Sequence, residues 1–444
     1  MDFIIFVPFP DYCFSQDPPC LGAGSISGYL SSKGYEASVV PVTSADLPNI
    51  SQNQCDIIGI SILEDSWELA QNIAAIYQAQ GSKVIAGGVF TSVCPEEVLQ
   101  SGLFDAVCIG DGELIAQVFI EQIMSGRHEN LKGLVWNDKY LVSEAQDFSY
   151  NIQEDLSLFQ SSDFGYKSFL PISSYSDTSR VILTPPSGDE TGATCEFMFS
   201  RGCGYRCTYC HNSNEAVQDV QWLRFYDLRC VIADIERIHQ QHNLSRICIL
   251  DDDIISNYPY FRQFVELYSS RIHLPYRAFT RPEKINARTV KMLKDSGCYL
   301  ISMGLESANQ MIREKVLNRK MSTERIAKAM RLCRENGIQT IINVMIGIPG
   351  ETEEEIEETI SFLEENRPDF VFASIFTPYR GTKIYNICKE AGWDLRASNT
   401  GGVQYGSSKN PYFVGKESYL RASLQRLQQL SQVQPMVSSC KSIK

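Results

Sequence analysis

Histidine is nearly missing from this chain. There are five in 444 residues and none among the first 127, so no histidine of that part of the chain can ligate a cofactor held there. Positive charge is short as well. Forty lysines and arginines face 53 aspartates and glutamates, and the formal charge of -13 argues against a broad phosphate-binding surface and so against a nucleic-acid substrate. No apolar run approaches a membrane span. The first residues, Met1-Asp2-Phe3-Ile4-Ile5-Phe6-Val7, lack a basic leader and break at Pro8 and Pro10, which reads as a first strand and not as a signal peptide. The fifteen cysteines form no disulfide framework: they are scattered, and many (Cys108, Cys248, Cys333) sit in apolar runs. They read as small buried hydrophobes of a reducing, cytoplasmic compartment.

What is present is a repeated βα rhythm. Short apolar or β-branched runs at 3–7, 37–42, 56–62, 83–87 and 106–109 alternate with helical periodicity, the helices from about Gly24 to Lys33 and Ser66 to Gln80 stopping at Gly34 and Gly81. A parallel sheet of about five strands is expected, with its ligand edge where strands end and helices begin. A second series places strands at 247–250, 276–279, 300–303, 340–346 and 370–375, with helices over 323–336 and 353–366. The expected fold is α/β: a doubly wound Rossmann-like domain over 1–140, a linker over 141–190, a partial (β/α)6 barrel over 191–395, and a tail over 396–444. That tail comprises the Gly/Ser-rich stretch 401–408 and a polar helix over 416–432.

In Phe199-Ser200-Arg201-Gly202-Cys203-Gly204-Tyr205-Arg206-Cys207-Thr208-Tyr209-Cys210, three thiols fall within eight residues, three and then two residues apart. One loop with this spacing can wrap an iron-sulfur cluster and leave one iron open. A structural zinc site is the alternative, with Cys195 or His211 as fourth ligand. Zinc knots usually pair two short hooks, however, and here a single lopsided triplet opens a βα series.

On these residues the chain resembles the radical S-adenosylmethionine (SAM) superfamily, in the branch with an N-terminal cobalamin-type domain, over about residues 1 to 395. The resemblance implies that Cys203, Cys207 and Cys210 hold a [4Fe-4S] cluster whose fourth iron takes the amino and carboxylate groups of SAM. Reduction, from an electron donor such as flavodoxin or ferredoxin, then cleaves SAM to methionine and a 5'-deoxyadenosyl radical. It also places Tyr209 along the adenine, gives Glu306 of Gly304-Leu305-Glu306-Ser307 the ribose hydroxyls, and lets Gly347 and Gly350 of the Gly-Ile-Pro-Gly turn approach adenine. Arg281 and Arg319 fall where relatives put basic residues near the SAM carboxylate or inside the barrel. Without the resemblance, Glu306 reads as a solvated residue before a capping serine, the turn as the start of a capped acidic helix, and either arginine as a surface residue.

In the first domain, Ser61 and Leu63 close one strand and Gly87-Gly88 another, where the same resemblance lets a cobalamin tail enter the sheet. No histidine among the first 127 residues is available for cobalt. The implied activity is a cobalamin-dependent methyl transfer to an unactivated carbon or a phosphorus centre of a small metabolite or peptide. Two alternatives remain: a radical SAM reaction of another kind without methylcobalamin, or a non-catalytic metal-binding or sensor protein. Two departures stand out, Gly204 for the proline frequent after the first cysteine and Arg380 for the proline relatives often place before Gly-Thr. Asp251-Asp252-Asp253 looks like a metal site by composition, but three adjacent side chains cannot all face inward on a strand.

Overall fold

A computed structural model describes residues 2–9, 21–52, 54–137, 139, 193–214, 223–393, 395 and 410–431. The expected linker at 141–190 and the Gly/Ser stretch at 401–408 lie outside them. Among the described residues, no helix is long and apolar enough to cross a membrane.

The N-terminal strands are β1 (Asp2–Pro8), β2 (Glu36–Val42), β3 (Ile57–Ser61), β4 (Lys83–Gly87), β5 (Ala106–Cys108) and β6 (Leu134–Trp136). They form one sheet in the order β2-β1-β3-β4-β5-β6, parallel except for β6 against β5. The expectation of about five strands is therefore one short: β6 has three residues, too few to show a pattern. Because β1 lies between β2 and β3, chain direction across the sheet reverses there, and such a switch point opens a crevice at the strand ends. Alternate side chains feed two cores. Phe6, Ile58, Ile60 and Val84 pack on one face with Ile73 and Tyr77, while Phe3, Ile5 and Ile57 pack on the other with Leu30, Phe119 and Trp136.

The second series contains β7 (Ala193–Phe197), the short pair β8 (Ser200–Arg201) and β9 (Arg224–Phe225), then β10 (Leu244–Ile249), β11 (Tyr276–Thr280), β12 (Cys298–Glu306), β13 (Gln339–Ile346) and β14 (Phe370–Ile375). Six of these form a second parallel sheet, β14-β13-β12-β11-β10-β7, an open barrel whose two end strands pair with no further strand among the described residues. On β13 the residues Ile342, Val344 and Ile346 are buried in the core shared with the outer helices; Ile341, Asn343 and Met345, half-buried, face the interior. The C-terminal helix departs from the expected polar tail. Glu417–Gln429 buries Leu420, Leu424 and Leu427 in that same core, and Ser431 Oγ accepts from the Val371 amide at 3.0 Å. Its apolar residues recur at three- and four-residue intervals, which closes the outer face of β14.

Two seams join the domains. Arg201 and Arg224 pair with Asp111 and Glu113. On the other side, Arg380 binds Glu64 and Glu97, Tyr379 donates to Asp65 at 3.2 Å, and Gly381 lies so close to Val93 that a Cβ there would stand 2.4 Å from the valine Cβ. The sequence marked Arg380 as a departure from the proline of relatives; its partners here are acids of the other domain.

Candidate functional site

The cysteine loop starts from β8, which Asp251 holds by accepting from the Phe199 amide at 2.7 Å and the Ser200 hydroxyl at 2.5 Å. Burial pushes the Asp251 carboxyl up to about 7. Its neighbours split as strand geometry requires: Asp253 is buried and accepts from Thr280 at 2.6 Å, while Asp252 is exposed. Gly202 then turns the chain with φ of +81°, a conformation that costs glycine little.

Cys207 is buried and Cys203 and Cys210 are partly so. Burial pushes the Cys203 thiol up to about 12 and raises that of Cys210, so metal uptake at these sulfurs would release protons. Arg281 Nη1 donates to Cys207 Sγ at 3.3 Å, and Arg319 Nη1 lies 3.9 Å from the same sulfur. Asn212 donates to Cys210 Sγ at 3.4 Å. Among the described residues, no three His, Cys, Asp or Glu side chains converge on a point as one metal ion requires.

Glu306, Tyr209 and Arg319 form the next group. The tyrosine hydroxyl donates to Glu306 Oε1 at 2.9 Å, and Arg319 reaches that oxygen at 3.7 Å, the Tyr209 oxygen at 3.2 Å and the Gly304 carbonyl at 2.6 Å. Glu306 is 8% exposed, so the solvated reading fails. Burial raises its carboxyl above the usual range, against the pull of Arg319 and the Tyr209 hydrogen bond. The glycine two residues earlier is what admits it: a Cβ on Gly304 would stand 2.1 Å from Glu306 Oε1. Arg281 is occupied by Glu283 at 2.5 Å and by the Tyr205 ring at 3.8 Å, besides Cys207.

Gly347 and Gly350 are not drawn into this group by direct contact. Gly347 faces Asn410 and Leu420, and its carbonyl accepts from Asn410 at 2.8 Å; Gly350 faces open space. The link is Glu351, which sequence reasoning missed. Fully buried, it accepts from the Gly347 and Ile348 amides at 2.7 and 3.1 Å and from Ser307 Oγ at 3.2 Å. It thereby ties the Gly-Ile-Pro-Gly turn to the residue after Glu306.

In the first domain a cavity of about 710 Å3, solvent at its mouth included, opens beside β1, β3 and β4. Ser61, Gly87 and Gly88 line it; Leu63 does not, and stands 47% exposed beyond the strand end. Its other walls come from Gly22 and Ala23 of the helix Leu21–Ser32, and from Asp111, Gly112 and Glu113. Sequence reasoning missed these last three; the signal that could have found them is Gly110-Asp111-Gly112-Glu113 following a strand, a small-residue turn with two acids. The small side chains are why space remains.

A model described as the radical SAM superfamily matches residues 197–363, and one described as a B12 binding domain matches residues 12–120. An uncharacterized methyltransferase of Pyrococcus horikoshii is 26% identical over 334 residues, covering 74% of this chain and 68% of its own. Cytidylyl-2-hydroxyethylphosphonate methyltransferase of Streptomyces wedmorensis is 21% identical over 434 residues, covering 84% and 78%. Among solved structures, the radical SAM methyltransferase TsrM from Kitasatospora setae, with cobalamin and a [4Fe-4S] cluster bound, superposes with a TM-score of 0.65 at 16% identity over 88% of this chain and 75% of that one. That likeness is one of fold.

Proposed function

We propose that this chain, a B12-binding domain joined to a radical SAM domain, is a cobalamin-dependent methyltransferase acting on an unactivated carbon or a phosphorus centre of a small metabolite or peptide. One observation carries the reading: Cys207 is within reach of two arginines, one of which also holds Tyr209 and Glu306. Thiol, aromatic, acid and cation thus meet in one place, the set a sulfonium nucleoside beside a cluster needs.

The donor set fits the cluster, with three thiols on one loop and glycines at its turns. In this reading Cys203, Cys207 and Cys210 hold it, Glu306 accepts from the ribose hydroxyls, Tyr209 lies along the adenine, and Arg281 and Arg319 stand near the SAM carboxylate. The cavity fits a nucleotide tail between small residues, with Ser61, Gly87 and Gly88 beside it. When bound, the cluster supplies the electron that cleaves SAM, and cobalamin carries a methyl group. This chain's own residues bind and orient. Arg319 compensates the buried Glu306 charge until the diol arrives. We place the reaction in the cytoplasm, where a flavodoxin or ferredoxin supplies the electron.

The test is substitution of each cysteine by alanine in anaerobically matured protein. Losing one of three ligands leaves the iron core open to loss, so each variant should lose iron, sulfide and SAM cleavage together. Wild-type iron and sulfide in any of the three would remove the cluster from this loop.

A further inference from the structure

We propose that Arg201, which belongs to the radical SAM domain, closes the charged end of the cavity in the B12-binding domain and so couples occupancy of that cavity by the corrin tail to the stability of the cluster loop. The inference rests on the reading above, which puts a corrin in that cavity.

Of the residues that line the cavity, Arg201 is the one contributed by the second domain. Its guanidinium stands among the polar groups at one end of the cavity. Nη2 pairs with Glu113 at 2.5 Å and donates to Ser25 Oγ at 3.1 Å; Nη1 pairs with Asp111 at 3.1 Å; Nε donates to the Tyr226 hydroxyl at 2.6 Å. Ser25 in turn donates to Glu113 at 2.6 Å. The buried Glu113 and the half-buried Asp111 are thus matched by two arginines, because β8 pairs with β9 and sets Arg201 opposite Arg224, which holds the other Asp111 oxygen.

The same backbone leads to the cluster. Arg201 is followed by Gly202 and then Cys203, so whatever fixes the arginine fixes the first ligand of the loop. With its donors committed to Asp111, Glu113, Ser25 and Tyr226, Arg201 acts as a wall and a strut and not as the group that recognises the tail; it is a positioning residue. A tail that fills the cavity packs against this end and holds the ion pairs dry, which strengthens them, and by linkage a cluster loop held in place favours the tail equally.

The experiment uses the full chain, matured anaerobically with and without hydroxocobalamin. Corrin retained after gel filtration and the rate of cluster loss to a ferrous chelator are read on the same samples. In the wild type, corrin should slow cluster loss about fivefold or more, the lower range of site-to-site coupling. Arg201→Met, and the charge-balanced pair Arg201→Met with Glu113→Gln should folding of the single variant suffer, are expected to hold wild-type iron before the challenge. Both should retain about tenfold less corrin and lose the protection, a coupling factor in the same range. Arg224 does not itself line the cavity, although its partner Asp111 does, so Arg224→Met leaves Arg201 at the cavity end and should keep both. Wild-type corrin retention and protection in the charge-balanced pair would overturn the proposal, as would equal losses in Arg224→Met, which would mark the seam as a structural interface alone. A wild type that retains no corrin removes the cofactor reading itself, and this inference with it.

Discussion

Glu306 has a φ of +66°, in the left-handed region, although it is not glycine. Strain of this kind persists where surrounding contacts over-determine it, and here Tyr209 and Arg319 grip the carboxylate while Gly304 makes room for it. Glu306→Gln keeps shape and removes charge. SAM binding should weaken by about 1 to 3 kcal/mol, the scale of a hydrogen bond to a charged group, with iron content unchanged; wild-type affinity by calorimetry would free Glu306 from the ribose. Glu351 gives a second expectation. Burial pushes its carboxyl from the ordinary 4.5 up to about 8, so between those values the folded protein binds a proton that the unfolded chain has released. Its contribution to stability is therefore full at low pH and lost as pH rises toward 8, and Asp251, at about 7, acts in the same direction. Glu351→Gln can accept from the two amides and donate to Ser307, so melting temperature should fall less steeply between about pH 5 and 8 than in the wild type. An unchanged slope would assign the pH dependence elsewhere. Glu351→Ala strands two buried amides and should cost about 1 to 3 kcal/mol for each. The cysteines were legible because three rare side chains in eight residues are a local signal. Glu351 was not, because Thr352 and Glu355 beside it form a capping box that explains an acidic helix start without it.

Elements were legible in proportion to the length of their pattern. The eight-residue β13 alternates between buried and half-buried positions, the nine-residue β12 is a nearly continuous buried run, and the helices Thr323–Glu335 and Glu353–Asn366 end within a residue of expectation. The three-residue β6 and the two-residue pair β8 and β9 carry no periodicity; their pairing comes from the tertiary fold. The C-terminal helix was misread as polar because its charged face dominates its composition, while three leucines do the packing. The ends of β3 and β4 supply an expectation at this scale. Blocking the cavity at Gly88 is a poor choice: φ is +91°, and a Cβ would stand 2.6 Å from the Ile62 nitrogen and 2.7 Å from its carbonyl oxygen. Those are the atoms through which Ile62 pairs with Gly87 and Phe90, so Gly88→Trp should unfold the sheet end before it tests the tail. Gly87 has φ of -142° and its nearest neighbour would be the Cys108 Cβ at 3.8 Å. Gly87→Leu should therefore melt near the wild-type temperature by circular dichroism yet hold less corrin, with unchanged iron. Full corrin in that variant would put the tail somewhere other than this cavity.

At the scale of the whole molecule, the two domains were readable separately and their junction was not. Asp111 and Arg201 are 90 residues apart in sequence, as Glu64 and Arg380 are 316 apart, and no local pattern relates them. Yet these charges set the strand ends of one sheet against the mouth of the other. Pairs largely withdrawn from solvent, as these are, add little net stability over apolar contacts, but breaking one partner is costly, which suits a fixed relative placement of the two cofactors. The central claim is that one chain carries both a cluster at Cys203, Cys207 and Cys210 and a corrin in the neighbouring sheet. The most direct measurement is iron, sulfide and corrin per chain in anaerobically matured wild-type protein, with Cys207→Ala alongside. The account predicts about four irons, four sulfides and one corrin per wild-type chain, as a [4Fe-4S] core and a single tail pocket require, with the iron and sulfide gone from the variant. Iron near one per chain, or a cluster without any corrin, would contradict it.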